Sequence, residues 1–134
     1  MAEPFIFINS YRIKPGMEEE YRQRFGEVAD IVEAQEPKML YFGEHIAEDG
    51  TGATTVQVHA DAENMGYHME LVGEHIQEAA QYLDFASMTV RIFGSPTEAV
   101  LDQMRQLAGS GVSVTVSPAA VSFHRFDQHE SIER

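Results

Sequence analysis

Between Pro4 and Phe93 the sequence passes twice through the same alternation of β-rich segment, amphipathic helix and β-rich segment, and no other feature restricts the fold as much. Residues 4–13 (PFIFINSYRI) are β-branched and aromatic, which suits a strand. Lys14-Pro15-Gly16 marks a turn. Met17, Tyr21, Phe25, Val28 and Val32 then recur at spacings of four, four, three and four, the stripe of one helix face. Glu18, Glu19 and Glu20 fall in its first turn, where the helix dipole favours negative charge, and Pro37 stops it. Residues 38–47 and 53–60 flank Glu48-Asp49-Gly50-Thr51-Gly52, a hairpin loop. Asp61 can cap a second helix carrying the stripe Met65, Met69, Val72, Ile76, Ala79 and Leu83, and residues 85–93 (FASMTVRIF) supply a fourth strand. This β-α-β-β-α-β order predicts a ferredoxin-like α+β fold, an antiparallel sheet with both helices on one face.

A C-terminal extension follows over about residues 95–126. Ser95-Pro96-Thr97-Glu98 reads as a capping box with proline at the first helical position. A third helix is then expected, with Val100, Met104, Leu107 and Ala108 on one face. Residues 112–117 and 120–126 have β character, interrupted by Pro118, and the polar tail over 127–134 is expected to be loose. With no linker or repeat dividing it, residues 1–134 are read as one domain with its core at about 4–94.

The strand faces bear on assembly. Pairing Phe42 with Val58 and Ile46 with Thr54 collects Leu40, Phe42, Ile46, Val56 and Val58 under the helices. Tyr41, Gly43, His45, Thr55, Gln57 and His59 then look the other way. The first strand alternates Ile6 and Ile8 against Phe5, Phe7, Asn9 and Tyr11, so both of its faces are largely apolar. Two helices cover only one side of a four-stranded sheet. A face bearing Phe5, Phe7, Tyr11, Tyr41, Phe85 and Phe93 would be a large apolar patch unless covered, and a second copy is the simplest cover. A homodimer enclosing a mixed aromatic and polar interior is expected.

Composition narrows the function. Lys and Arg number 9 against 22 Asp and Glu, a formal charge of −13. That balance disfavours nucleic acid and anionic lipid as partners, since both require cationic surface. No run approaches the roughly 18 apolar residues of a membrane span, and no signal-peptide pattern opens the chain. Cysteine is absent, which excludes disulfides and thiol chemistry and suits a cytoplasmic protein. Gly-rich phosphate loops, Ser-His-Asp patterns and HExxH are also missing, and no metal or cofactor is expected.

The candidate site residues are polar side chains on otherwise apolar faces. His68 and His75 are seven apart, hence close in azimuth on the second helix, at the half-buried shoulder of its stripe. They either border a packing contact, or one of them reaches a cavity as a base, since a histidine near neutrality can accept a phenolic proton. His45 and His59 stand four positions apart along the paired strands, about 13 Å, too far for one metal. Asn9, Gln57 and Arg91 either form a mutual network or bind substrate oxygens, with Arg91 supplying positive charge. Tyr11 and Tyr41 are pocket walls or core. The methionines at 17, 65, 69, 88 and 104 fall on the stripes and are explained by packing.

The strand FINSYRIKPG (Phe7–Gly16), the acidic Met17-Glu18-Glu19-Glu20 behind it, the hairpin and the helix YHMELVGEHI (Tyr67–Ile76) resemble the antibiotic biosynthesis monooxygenase family of dimeric α+β barrels. The resemblance covers about residues 4–94 and implies that fold. It also implies cofactor-independent oxygenation of a small aromatic or quinol-type substrate, which the protein orients and deprotonates. Haem-degrading relatives combine an asparagine on the first strand with a tryptophan and a histidine on the second helix. Asn9 and His75 match two of these, but Met65 stands where the tryptophan would fall and the chain has none. The resemblance and the strand and helix faces together make His68, His75 and Asn9 the catalytic candidates, with Tyr11, Tyr41, Gln57, His59 and Arg91 against the substrate. A non-catalytic ligand-binding or stress-response dimer is the alternative, and a haem-binding relative comes third.

Overall fold

A computed structural model describes residues 3–125. The elements are β1 (Phe5–Ile13), α1 (Glu18–Gln35), β2 (Met39–Ile46), β3 (Gly52–His59), α2 (Glu63–Ala79), β4 (Leu83–Phe93), α3 (Glu98–Gly109) and β5 (Ser113–Ser117). The sheet order is β2-β3-β1-β4-β5. Its first four strands pair antiparallel, as the ferredoxin-like reading requires, and β5 joins β4 in parallel. The parallel addition follows from α3, which carries the chain back along the sheet before β5 begins. No strand forms over 120–125, and the remainder of the expected tail lies outside the described residues.

The helices start and stop as their side chains dictate. Asp61 Oδ1 accepts the Asn64 amide at 2.9 Å, and Thr97 Oγ1 accepts that of Val100 at 3.3 Å. The cap of α3 is therefore Thr97 rather than Ser95, and Pro96 lies just before the helix instead of inside it. Tyr21, Phe25, Val28 and Val32 are the buried residues of α1. In α2 they are Asn64, Met65, His68, Val72 and Ala79. Burying apolar side chains of this size contributes about 1.5–3 kcal/mol each, so the helix–sheet layer is the main source of stability.

The hairpin register differs from the expected one by a single residue. Phe42 pairs with Gln57 and Ile46 with Ala53, and an irregularity falls between Met39 and Tyr41. The loop sets this register. Ala47 N donates to Gly52 O at 2.9 Å, closing the hairpin one residue tighter than the composition suggests, and Gly50 takes the left-handed turn at φ 75°. Because side chains alternate with period two, the slip turns β3 over. Ala53, Thr55, Gln57 and His59 are buried toward the helices, whereas Val56 and Val58 face away. Phe5, Phe7, Asn9 and Tyr11 pair with these inward residues on β1, which sends Ile6 and Ile8 outward. Phe42 and Ile46 lie on the helix side as expected. The residues assigned from sequence to the uncovered face thus lie largely within the protomer.

Candidate functional site

A cavity of about 200 Å³ lies between the sheet and the helices. Phe7, Phe42, Phe85, Met88 and Val90 line it from the sheet, Phe25 and Val28 from α1, Met65, Met69 and Val72 from α2, and Met104 and Leu107 from α3. Against this apolar wall stand Asn9, Tyr11, Glu44, Thr55, Gln57 and His68. Few converging polar groups in an apolar concavity is the usual form of a small-molecule site. An apolar void of about 150 Å³ accommodates benzene, so this one suits a single ring or a compact bicycle.

The first polar cluster runs from α1 through α2 to β3. His68 Nδ1 donates to Glu36 Oε2 at 2.6 Å, and Asn64 Nδ2 donates to Glu36 Oε1 at 3.3 Å. Asn64 Nδ2 also donates to His59 Nδ1 at 2.9 Å, and His59 Nε2 donates to Gln57 Oε1 at 2.9 Å. These roles follow from the donors available, since an amide nitrogen only donates and a carboxylate only accepts. His59 is therefore neutral, with its proton on Nε2. Burial, reinforced by the neighbouring His68, pushes its pKa down to about 3. Glu36 extends the helical stripe of Val28 and Val32 by one more turn, which is how a carboxylate at the end of α1 comes to be 2% exposed. With Nδ1 committed to Glu36, the other ring nitrogen of His68, Nε2, has no hydrogen-bond partner among the described residues.

The second cluster sits two residues further along β2 and β3. Glu44 Oε1 accepts the Tyr21 hydroxyl at 2.5 Å, and Thr55 Oγ1 lies 2.9 Å from Oε1 and 2.8 Å from Oε2. Tyr11 Oη lies 2.7 Å from Tyr21 Oη and 3.1 Å from Thr55 Oγ1. Burial raises the pKa of the Glu44 carboxyl, and the surrounding hydroxyls offset part of that rise. Burial and the adjacent Glu44 raise both tyrosines as well, so they stay protonated. Asn9 Oδ1 stands beside this cluster, buried and without a partner among the described residues.

The structure brings together Asn9, Tyr11, Gln57 and His68 from the candidates read in the sequence, with His59 directly behind Gln57. The other three lie elsewhere. Arg91 pairs with Ile8 and points to the opposite face, because residues opposite one another share a face and Ile8 is turned outward. Tyr41 is 48% exposed on that same face, where its hydroxyl donates to His45 Nε2 at 3.0 Å. His75 is partly buried but is not among the residues lining the cavity, and its Nδ1 is enclosed without a partner among the described residues. His68, expected at a half-buried shoulder, is only 3% exposed. His45 and His59 lie on opposite faces of the sheet, and among the described residues no group of three His, Cys, Asp or Glu is placed to hold a metal.

Sequence reading passed over Glu36, Glu44, Asn64, Tyr21 and Thr55. Two left a usable signal: Glu36 continues the apolar stripe of α1, and Glu44 lies between Phe42 and Ile46 on the apolar face of β2. A carboxylate at a core position is a stronger pointer than a histidine at a helix shoulder, because burying it without partners is costly.

No protein-family model matches this sequence, and no curated protein matches it. Solved structures do match. MupZ from Pseudomonas fluorescens superposes with a TM-score of 0.68 at 19% identity, covering 93% of this chain and 97% of its own, a share too large to leave out α3 and β5. A putative antibiotic biosynthesis monooxygenase from Caulobacter crescentus gives 0.62 at 12% identity, covering 68% and 88%. SnoaB, a cofactor-independent oxygenase from Streptomyces nogalater, gives 0.59 at 15% identity, covering 72% and 96%. Among the described residues no helix is long and apolar enough to cross a membrane. At these identities the likeness is one of architecture, and on that ground this chain has the α+β fold of the antibiotic biosynthesis monooxygenase proteins.

Proposed function

We propose that the protein is a cofactor-independent oxygenase of a single-ring or compact bicyclic phenol or quinol, bound between sheet and helices, with His68 as the base. The observation that carries this reading is the Glu36–His68 pair at the wall of an apolar cavity. Glu36 fixes the tautomer and stabilises the imidazolium formed when Nε2 takes the phenolic proton. Asn9 Oδ1, lacking a partner, accepts a hydrogen bond from a second ring hydroxyl. The deprotonated ring is electron-rich enough to react with dioxygen. One phenol and one dioxygen give one quinone and one water, so the balance needs no external reductant. In the same reading the protein is a cytoplasmic homodimer in which the outward sheet face, with Ile6, Ile8, Val56 and Val58, packs against its equivalent.

The test is oxygen uptake with a panel of monocyclic hydroquinones and naphthols, wild type beside His68→Ala. Uptake that falls by about 10²–10⁴ in the variant supports the reading. Binding without oxygen uptake replaces it with a ligand-binding dimer.

A further inference from the structure

With its carboxyl neutral, the Glu44 cluster closes on itself. With Glu44 neutral, Oε2–H donates to Thr55 Oγ1 at 2.8 Å and Thr55 donates to Tyr11 Oη at 3.1 Å. Tyr11 then donates to Tyr21 Oη at 2.7 Å, and Tyr21 donates to Glu44 Oε1 at 2.5 Å. Four hydroxyl protons meet four acceptors in one ring, with no donor left over and no buried charge. The groups come from every element packed around the carboxyl: Tyr11 from β1, Tyr21 from α1 and Thr55 from β3. His45 is next to Glu44 on the outward side of β2 and opposes the neutral form, but burial outweighs it. Among the described residues no Lys or Arg is hydrogen-bonded or ion-paired to Glu44.

We propose that Glu44 is a neutral carboxylic acid held by this ring of hydroxyls and is the proton donor of the cavity, the counterpart of the base His68. The two stations are set by the strand repeat. Phe42, whose ring centroid lies 5.9 Å from that of His68, is two residues from Glu44 on β2, about 7 Å along the strand. The substrate class is narrowed accordingly, to a ring with an acidic O–H or C–H at one end and a carbonyl, ether or peroxide oxygen at the other. As His68 Nε2 takes a proton, Glu44 turns its Oε2–H from Thr55 to that oxygen and delivers it, and the Thr55 hydroxyl turns to donate to the carboxylate left behind. The imidazolium is then balanced by Glu36, and the Glu44 carboxylate by the Tyr21 and Thr55 hydroxyls. A proton returned from His68 to Glu44 through solvent resets the site, and no electrons are exchanged in this step.

The inference rests on His68 as the base for its chemistry but not for the state of Glu44, and the experiment separates the two. Infrared spectra of the full chain at pH 7 are expected to contain the carbonyl band of a protonated carboxyl, shifted in deuterium oxide. That band disappears in Glu44→Gln and persists in Glu36→Gln and His68→Ala. Tyr21→Phe, which opens the ring without removing the acid, shifts the band, and this covers the case in which Glu44→Gln fails to fold. Absence of the band at pH 7, or its survival in Glu44→Gln, overturns the proposal. With hydroquinone as probe, the alkaline fall of kcat/KM is lost in Glu44→Gln. A band without any hydroquinone turnover leaves Glu44 as the acid and removes the oxygenase reading alone.

Discussion

Glu36 Oε2 lies 2.6 Å from His68 Nδ1, with the two side chains 0% and 4% exposed. The contact joins the last residue of the α1 stripe to the first third of α2, so one hydrogen bond orients the base and ties the helices together. Removing one partner leaves the other a buried polar group without its hydrogen bond. Glu36→Ala should lower the unfolding free energy by about 1–3 kcal/mol, measured by urea denaturation. Glu36→Gln keeps a carbonyl acceptor for His68 and should cost less stability than Glu36→Ala while still reducing turnover. Equal stability losses for the two variants would show that the carboxyl is merely packed.

His59 makes the fold sensitive to acid. Its pKa is pushed down to about 3 by burial, below the ordinary value of 6.5. The unfolded chain therefore takes up a proton below pH 6.5 that the folded chain refuses. Stability is fully present above that value and declines as pH falls toward 3, at up to about 1.4 kcal/mol per pH unit from this group. The hydrogen bonds give the reason, since a proton on Nδ1 would face the amide donor of Asn64. Chemical denaturation between pH 7 and pH 4 should show a shallower decline in His59→Gln than in the wild type. An unchanged slope would locate the acid sensitivity elsewhere.

Glu44 acts in the opposite direction. Burial raises its folded pKa above that of the unfolded chain, so its favourable contribution is complete below the ordinary glutamate pKa. That contribution is lost as pH rises through the raised value, because ionisation is then easier in the unfolded chain. Glu44→Gln cannot ionise and should lack this decline, giving a stability profile flatter than the wild type on its alkaline side. Parallel profiles for the two proteins would mean that the carboxyl is already ionised in the folded state.

The order of elements was legible because periodicity is a local property. Met17, Tyr21, Phe25, Val28 and Val32 announce α1 whatever they pack against. Which side of a strand faces the helices is different, since it depends on a loop closing one residue tighter than its composition suggests. The outward Val56 and Val58 look like core, and the inward Thr55, Gln57 and His59 look like surface. The polar residues are tolerated inside because they satisfy one another: Gln57 accepts from His59, and Thr55 is hydrogen-bonded to both Glu44 and Tyr11. No single position carries that information. Arg91 was read as a neighbour of Gln57 for the same reason, and the observed register moves the two to opposite faces.

The outward face supplies the last prediction. Ile8 and Val56 are directly opposed on β1 and β3, Ile6 and Val58 are opposed next to them, and Tyr41 and Phe93 flank these pairs at 48% and 36% exposure. Helices occupy the other side of the sheet, so nothing within the described protomer covers this one. An apolar patch of this kind, bordered by Arg91 beside Ile8, is characteristic of an interface, and a self-complementary face gives a closed twofold dimer. Val56→Arg places a charge at the centre of that face without touching the cavity, which is lined from the other side of β3 by Thr55 and Gln57. Sedimentation equilibrium should give a dimer for the wild type and a monomer for Val56→Arg. The variant should also unfold at a temperature that no longer rises with protein concentration, because association stabilises only the folded state. A wild type that sediments as a single chain at all concentrations would rule the dimer out. The cavity, built from one protomer, would be unaffected by that result.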